Sequence, residues 1–340
     1  MSAEAGAAVR VEHLTDLGRF AEAQQAAHTA LAAEPHSPAL LAALARVLLR
    51  TRDHAAGLAA ADAAAALVPD DERIHRLRAL HLSALGHHYW AEDAARTAVT
   101  LAPEEPLTAI TEARVLQQAR RFRDALVPAQ RAVALDPNLP QAHLVLADIA
   151  DDAGDRRTAR AAYQEVLRLD PQHAVARHDL AVLDARTRRP VAALAGLVEA
   201  GMLDPSLPTV LNTVAAVLWQ LSWRLRMLLV VATVAVVGAA WSPTATRVTA
   251  VVILLLAGLL TARTVRSLPS QARPVVLAAL RTDRPLRFTY VAVATCVLIF
   301  VAVAVTGFAP LAAAVWMVLV VLGLLALLVG LFRRMRRRGD

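Results

Sequence analysis

A chain of 340 residues has room for two domains, and at 57% apolar residues with 4% aromatics it exceeds the apolar content of an ordinary soluble protein, so part of it is expected in a lipid bilayer. The formal charge of +7 is unevenly spread: residues 1–206 hold 22 Arg against 27 Asp and Glu, a balance of −5, whereas residues 207–340 hold 14 Arg against Asp283 and Asp340, a balance of +12. All 36 basic residues are Arg, a usage that a GC-rich bacterial genome accounts for, and the absence of Lys excludes P-loop, Schiff-base and kinase-type lysine chemistry.

The start, "MSAEAGAAVRVEHL", lacks a basic stretch followed by an apolar core and does not read as a cleaved signal peptide, which places the first half in the cytosol. From there prolines recur every 34 residues, at Pro35, Pro69, Pro103, Pro137, Pro171 and Pro205. Twelve positions before each stands a small residue: Ala23, Gly57, Ala91, Ala125, Ala159 and Ala193. Five positions before stand Ala30, Ala64, Ala98, Ala132, Val166 and Ala200. Helices approach to about 8 Å only where side chains are small, so these positions predict tight helix-on-helix packing. Earlier in each unit an apolar set at spacings of three and four, such as Leu41, Leu44, Ala45 and Leu48, marks a second helical face. Each unit is therefore expected to be helix, turn, helix. Gly18, Gly86 and Gly154 mark the internal turn, alternating with Arg52, Arg120 and Arg188, as a two-repeat duplication produces.

Together the small positions, the turn and the closing proline, best seen in "RFAEAQQAAHTALAAEP" and "RFRDALVPAQRAVALDP", resemble the tetratricopeptide repeat, over about residues 2–206. The consensus aromatic of the first helix is missing, its place taken by Ala7, Leu41, His75, Ala109, His143 and Arg177. The resemblance implies an all-α solenoid of six repeats whose concave groove, lined by the first helix of each repeat, binds a protein or peptide. Projected onto the repeats, the groove candidates are Arg46, Arg50, Arg76, Arg114, Asp148 and Asp152, cationic early and anionic late. The carboxylate-clamp pattern of chaperone-binding members is not matched, since Arg46, Leu80, Arg114, Asp148 and Val182 stand where Asn is expected.

After Pro205 comes one more first-helix pattern, Leu211, Val214, Ala215 and Leu218, expected to cap the solenoid within residues 207–224. Four apolar runs follow, about 225–241, 248–265, 288–308 and 311–332, each long enough to approach the ~30 Å of a bilayer at ~1.5 Å per residue. Arginines gather in the second loop (Arg266, Arg273, Arg281, Arg284, Arg287) and in the tail at 333–340, "RRMRRRGD", while the first loop ends in Arg247 and the third has none. The positive-inside rule then puts both termini in the cytosol at the plasma membrane. Trp219, Trp223 and Trp241 suit an interfacial belt, and "PVVLAALR" a short interfacial helix. Thr233, Thr249, Thr261, Thr289, Thr295 and Thr306 read as hydroxyls bonded to their own backbone, and small pairs such as Ala235 with Ala239 and Ala326 with Gly330 argue for a packed bundle or a homo-oligomer.

No chemistry stands out. His87 and His88 in "GHHYWAED", with Glu92 or Asp93, lack the paired i, i+4 spacing of a metal site. Cys296 is the only cysteine, which excludes an intrachain disulfide and a cysteine metal cluster. The tail arginines follow an apolar run, as topology signals and lipid contacts do, and are not read as a nucleic-acid site. The expectation is a non-enzymatic, cofactor-free membrane adaptor; the alternative is a small transport or channel component with a regulatory repeat domain.

Overall fold

The computed structural model describes residues 3–187, 189–203, 210–266, 276–277, 280–281, 283–312, 314–315 and 318, and every described element is helical. The chain divides into two compact units, Met1–Pro171 and Gln172–Asp340.

The first unit is five helix pairs: α1 (Ala3–Asp16) with α2 (Phe20–Ala33), α3 (Pro38–Thr51) with α4 (His54–Leu67), α5 (Glu72–Ala84) with α6 (His88–Leu101), α7 (Pro106–Gln118) with α8 (Phe122–Leu135), and α9 (Pro140–Asp152) with α10 (Arg156–Leu169). The recurring proline stands two residues beyond the last helical residue of each second helix, as at Leu67 and Pro69 or Leu135 and Pro137. Its missing N–H and its ring cannot extend the helix. Where a second proline follows, as Pro38, Pro106 and Pro140 do, it opens the next first helix at a position whose N–H has no intrahelical partner anyway. Ser37, Asp53, Asp71 and Asp155 add side-chain caps, accepting from the backbone N–H of Leu40, Ala56, Arg73 and Thr158.

The internal turns behave as expected. Gly18, Gly86 and Gly154 take φ of +73°, +79° and +83°, and the alternating Arg52 and Arg120 are forced to +64° and +59°; Arg188 lies outside the described residues. First helices pack in series, α1 on α3, α3 on α5, α5 on α7 and α7 on α9, and α2, α4, α6 and α8 each also meet the next first helix. The seams are the small positions: Ala23, Ala91, Ala125 and Ala159 are wholly buried, as are Ala64, Ala98 and Ala132. Ala30 is only half-buried. Two histidines sit where the consensus has an aromatic. His75 and His143, 68 residues apart, each donate from Nε2 to the carbonyl of the proline six residues earlier, Pro69 at 2.7 Å and Pro137 at 2.8 Å. They latch the inter-repeat turn by a hydrogen bond where the family packs a ring.

The second unit begins with the sixth pair, α11 (Ala174–Arg186) and α12 (Pro190–Leu203), followed by α13 (Val210–Gly238), α14 (Pro243–Arg266) and α15 (Arg284–Thr306). Pro205 and Pro208 lie outside the described residues. α13 is one continuous helix of 29 residues where the sequence suggested a cap, a link and then a span. Nothing in "WQLSWRLR" breaks it, since the stretch has neither Pro nor Gly. Its first part packs on the sixth pair: Val214 and Leu218 are buried with Leu194 and Leu197 of α12 and Ala181 of α11. Its second part joins α14 and α15 in a separate apolar core holding Ala232, Val236, Ala250, Cys296 and Phe300.

Two helices are long and apolar enough to cross a membrane, Thr213–Gly238 and Arg284–Thr306, and Pro243–Leu259 is a shorter apolar one. These overlap the first three predicted spans. The fourth span, the candidate interfacial helix and the Arg-rich tail fall largely or wholly outside the described residues. Four of the six threonines do bond to their own helix: Thr233, Thr289, Thr295 and Thr306 donate to the carbonyls of Leu229, Pro285, Val291 and Ala302. Trp223 and Trp241 are exposed, whereas Trp219 turns inward and donates its indole N–H to Asp283 at 3.2 Å. Arg226 is buried on α13, its guanidinium 5.4 Å over the Trp223 ring and its Nε donating to the Ser222 carbonyl. Arg247, read from the sequence as the end of the first loop, lies on α14 and donates to the Thr306 carbonyl at 3.1 Å, so this cation is held by the C-terminus of α15.

Candidate functional site: a cleft on the first helices

Because the first helices stack in series, residues 34 apart line up along one face, and this alignment builds a cleft of about 680 Å³ in the first unit. Its walls read in register. Ala39, Arg73 and Leu107 form one row; Ala8, Ala42 and Arg76 the next; Glu12, Arg46 and Leu80 a third; Asp16 and Arg50 a fourth. Val9, Leu49 and Leu77 complete an apolar floor between the cations.

The four guanidinium groups are held differently. Arg46 reaches across the repeat boundary to pair with Asp16 of α1, both side chains well exposed. Arg76 pairs with Glu72 one turn earlier on α5. Arg73 forks onto Asp71 at 2.9 Å, and that hydrogen bond holds the Asp71 carboxyl below its ordinary 3.8 despite partial burial. Arg50 lies 5.7 Å over the Phe20 ring and has no ion pair among the described residues. Among the lining residues four arginines stand against Glu12 and Asp16, with Asp71 and Glu72 beside the lining answering Arg73 and Arg76.

Of the six groove candidates read from the sequence, Arg46, Arg50 and Arg76 come together here. Arg114 continues their row on α7, half-buried, but does not line the cleft. Asp148 accepts a hydrogen bond at 2.9 Å from the hydroxyl of Tyr163 on α10, inside its own repeat. Asp152 accepts from Gln117 at 2.7 Å and lies in a shallow depression with Arg120, Arg121 and Asp124. The aspartates therefore do not extend the cleft. Sequence reasoning missed Arg73, Leu77 and Leu107; the row Ala39, Arg73, Leu107 was visible as a 34-residue series, but its side of the helix was not.

His87 and His88 stand at the start of α6, the His87 side chain making no cap hydrogen bond. Among the described residues no three His, Cys, Asp or Glu side chains gather as a metal site would require. Burial lifts the Glu112 carboxyl above its ordinary 4.5 although Arg131 and Arg96 draw it down. It lies outside the cleft lining.

An α-solenoid of paired helices with a ligand-sized cleft on its first helices is a protein-interaction architecture. Residues 14–80, which hold most of that cleft, match the family model of the tetratricopeptide repeat. Among solved structures, a chain of the APC/C hetero-tetramer Cut9–Hcn1 has the same fold, with 14% identity and a TM-score of 0.55 over 63% of this chain and 42% of that one, so this chain spans less than half of it. Pilf of Pseudomonas aeruginosa shares 20% identity over 60% of this chain and 93% of that one, with a TM-score of 0.47. YrrB, described as a TPR protein with an unusual peptide-binding site, shares 21% over 56% of this chain and 98% of that one, with a TM-score of 0.40. None of the curated proteins matches the sequence.

Proposed function

We propose that this protein is a non-catalytic, membrane-anchored adaptor: the cleft on the first helices seats a segment of a partner protein, and the apolar helices hold that partner at the cytosolic face of the plasma membrane. The observation that carries the reading is the cleft itself, apolar in its floor and cationic at its rim, built by helices of a repeat family that generally binds proteins or peptides. Anchoring draws support from Thr213–Gly238 and Arg284–Thr306, each long enough for about 30 Å of hydrocarbon. With the second loop and tail rich in arginine, the reading is four spans, 225–241, 248–265, 288–308 and 311–332, with the solenoid at 1–206 and both termini inside. The small-residue pairs allow a homo-oligomer through these helices, although Ala235 is exposed and the buried neighbours are Ala232 and Val236.

Two measurements test it. A reporter active only outside the cytosol, fused after Asp340, stays dark under this topology, and a bright signal overturns it. Photo-crosslinking from a probe at Leu80 in native membranes yields a discrete protein adduct if the cleft is a partner's seat, and its absence removes that role from the cleft.

A further inference from the structure

We infer that the cleft selects an acidic segment carrying bulky aliphatic side chains, the carboxylates meeting Arg46, Arg50, Arg73 and Arg76 while the aliphatic groups cover Leu49, Leu77, Leu80 and Leu107. This rests on the cleft being the partner's seat.

Charge sets the sign. Four lining cations stand over the apolar floor; Asp71 and Glu72 beside the lining answer Arg73 and Arg76, and the cation with no ion pair among the described residues is Arg50. Availability comes next. The Arg46–Asp16 pair is exposed on both sides, 40% and 61%, and such surface pairs contribute only about 0 to 1 kcal/mol, so a ligand carboxylate exchanges with Asp16 at little cost. Arg50 is fixed over Phe20 with no ion pair among the described residues, so a bound carboxylate gains its charge without displacing another. Arg73 and Arg76, tied to Asp71 and Glu72 at the start of α5, are held at the rim with donors to spare, since each guanidinium carries five.

The same observations exclude other occupants. The chain's own tail, "RRMRRRGD", carries five arginines and is repelled. Nucleic acid would satisfy the arginines but not the aliphatic floor, and the cleft lining contains no aromatic ring on which a base could stack.

The test uses the full chain in a neutral detergent and three fluorescent peptides read by anisotropy: one of Leu and Glu, one with every Glu replaced by Lys, and one with every Leu replaced by Ser. The Leu/Glu peptide is expected to bind, weakening about tenfold or more in Arg46→Ala/Arg50→Ala and with added salt, while the other two bind at least tenfold more weakly. Leu80→Glu, which places a like charge in the floor and leaves the arginines intact, is expected to weaken it as well. Equal binding of the Leu/Lys peptide, or unchanged binding in the double variant with its melting temperature retained, overturns the inference. The crosslinking result separates the two readings. An adduct at Leu80 whose bound segment is not acidic sinks the charge preference and leaves the seat standing, whereas no adduct and no peptide binding sinks both.

Discussion

His81 donates from Nε2 to the carbonyl oxygen of Ala45, 3.0 Å away on α3, and its ring fills the space where a Cβ on Gly57 would lie, only 2.1 Å from Cε1. In the neighbouring repeats the residues at these two positions are Val47 with Ala23, Val115 with Ala91 and Ile149 with Ala125, all buried. The one glycine in the small-residue series thus stands against His81, a larger side chain than the Val47, Val115 and Ile149 of the neighbouring repeats. A double-mutant cycle measures this. Gly57→Ala gains about 1 kcal/mol of helix propensity but displaces a buried, hydrogen-bonded ring, for a net loss of about 2 kcal/mol. His81→Val alone leaves a void. The pair together restores the regular repeat and is expected to be more stable than the sum of the single changes by at least about 1 kcal/mol, in denaturant melts; strict additivity would refute the coupling.

The same ring makes the first unit sensitive to acid. Because the Ala45 carbonyl can only accept, His81 Nε2 carries the proton, and Nδ1 is left to accept from His54 Nδ1 at 3.4 Å. Burial lowers the His81 pKa from its ordinary 6.5, the Ala45 carbonyl and Asp53 raise it, and His54 lowers it further. The unfolded chain takes up the proton near pH 6.5 while the folded ring resists, so stability is full above that pH and falls as pH drops toward the depressed folded value. One proton corresponds to at most about 1.4 kcal/mol per pH unit. Stability curves at about pH 7.5 and 5.5 should fall more steeply for the natural protein than for His81→Val/Gly57→Ala, and parallel curves would assign the acid sensitivity elsewhere.

The two residue types at the internal turns should respond in opposite directions. Gly86 has φ of +79° and open space where a Cβ would go, so Gly86→Ala costs only backbone strain, about 1 kcal/mol. Arg52, exposed and at +64°, bears that strain already, so Arg52→Gly is expected to raise stability by about 0.5 kcal/mol. Thermal melts of the two variants decide the point.

Gly307 contrasts with Gly86. Its φ is +71°, but its Cβ would lie 2.9 Å from Arg247 Nε and 3.0 Å from the Pro243 carbonyl oxygen. Gly307→Ala therefore strains the backbone and disturbs the arginine that caps α15. Its apparent melting temperature in detergent should fall further than that of Arg247→Ala, which removes a capping interaction of about 0.5 to 1 kcal/mol. The reverse order would mean the cap, not the close approach, governs this corner.

Much of this protein is legible along the chain. The closing prolines, the positive-φ turns, the buried alanine seams and the self-bonded threonines of the apolar helices are set within a few residues of themselves, by steric limits on φ and by helical spacing. The apolar lengths of α13 and α15 are likewise written in composition. What the tertiary structure decided is which side chains meet. Arg46, Arg50 and Arg76 share a cleft because stacking brings residues 34 apart side by side, and the same stacking adds Arg73 and Leu107. Asp148 turns to Tyr163 and Asp152 to Gln117, because a rotamer answers to whatever the adjacent helix presents, and that depends on helices tens of residues away. Gly57 stands among the alanines as a small residue like the rest, and only the fold shows that the His81 ring occupies the space its Cβ would fill.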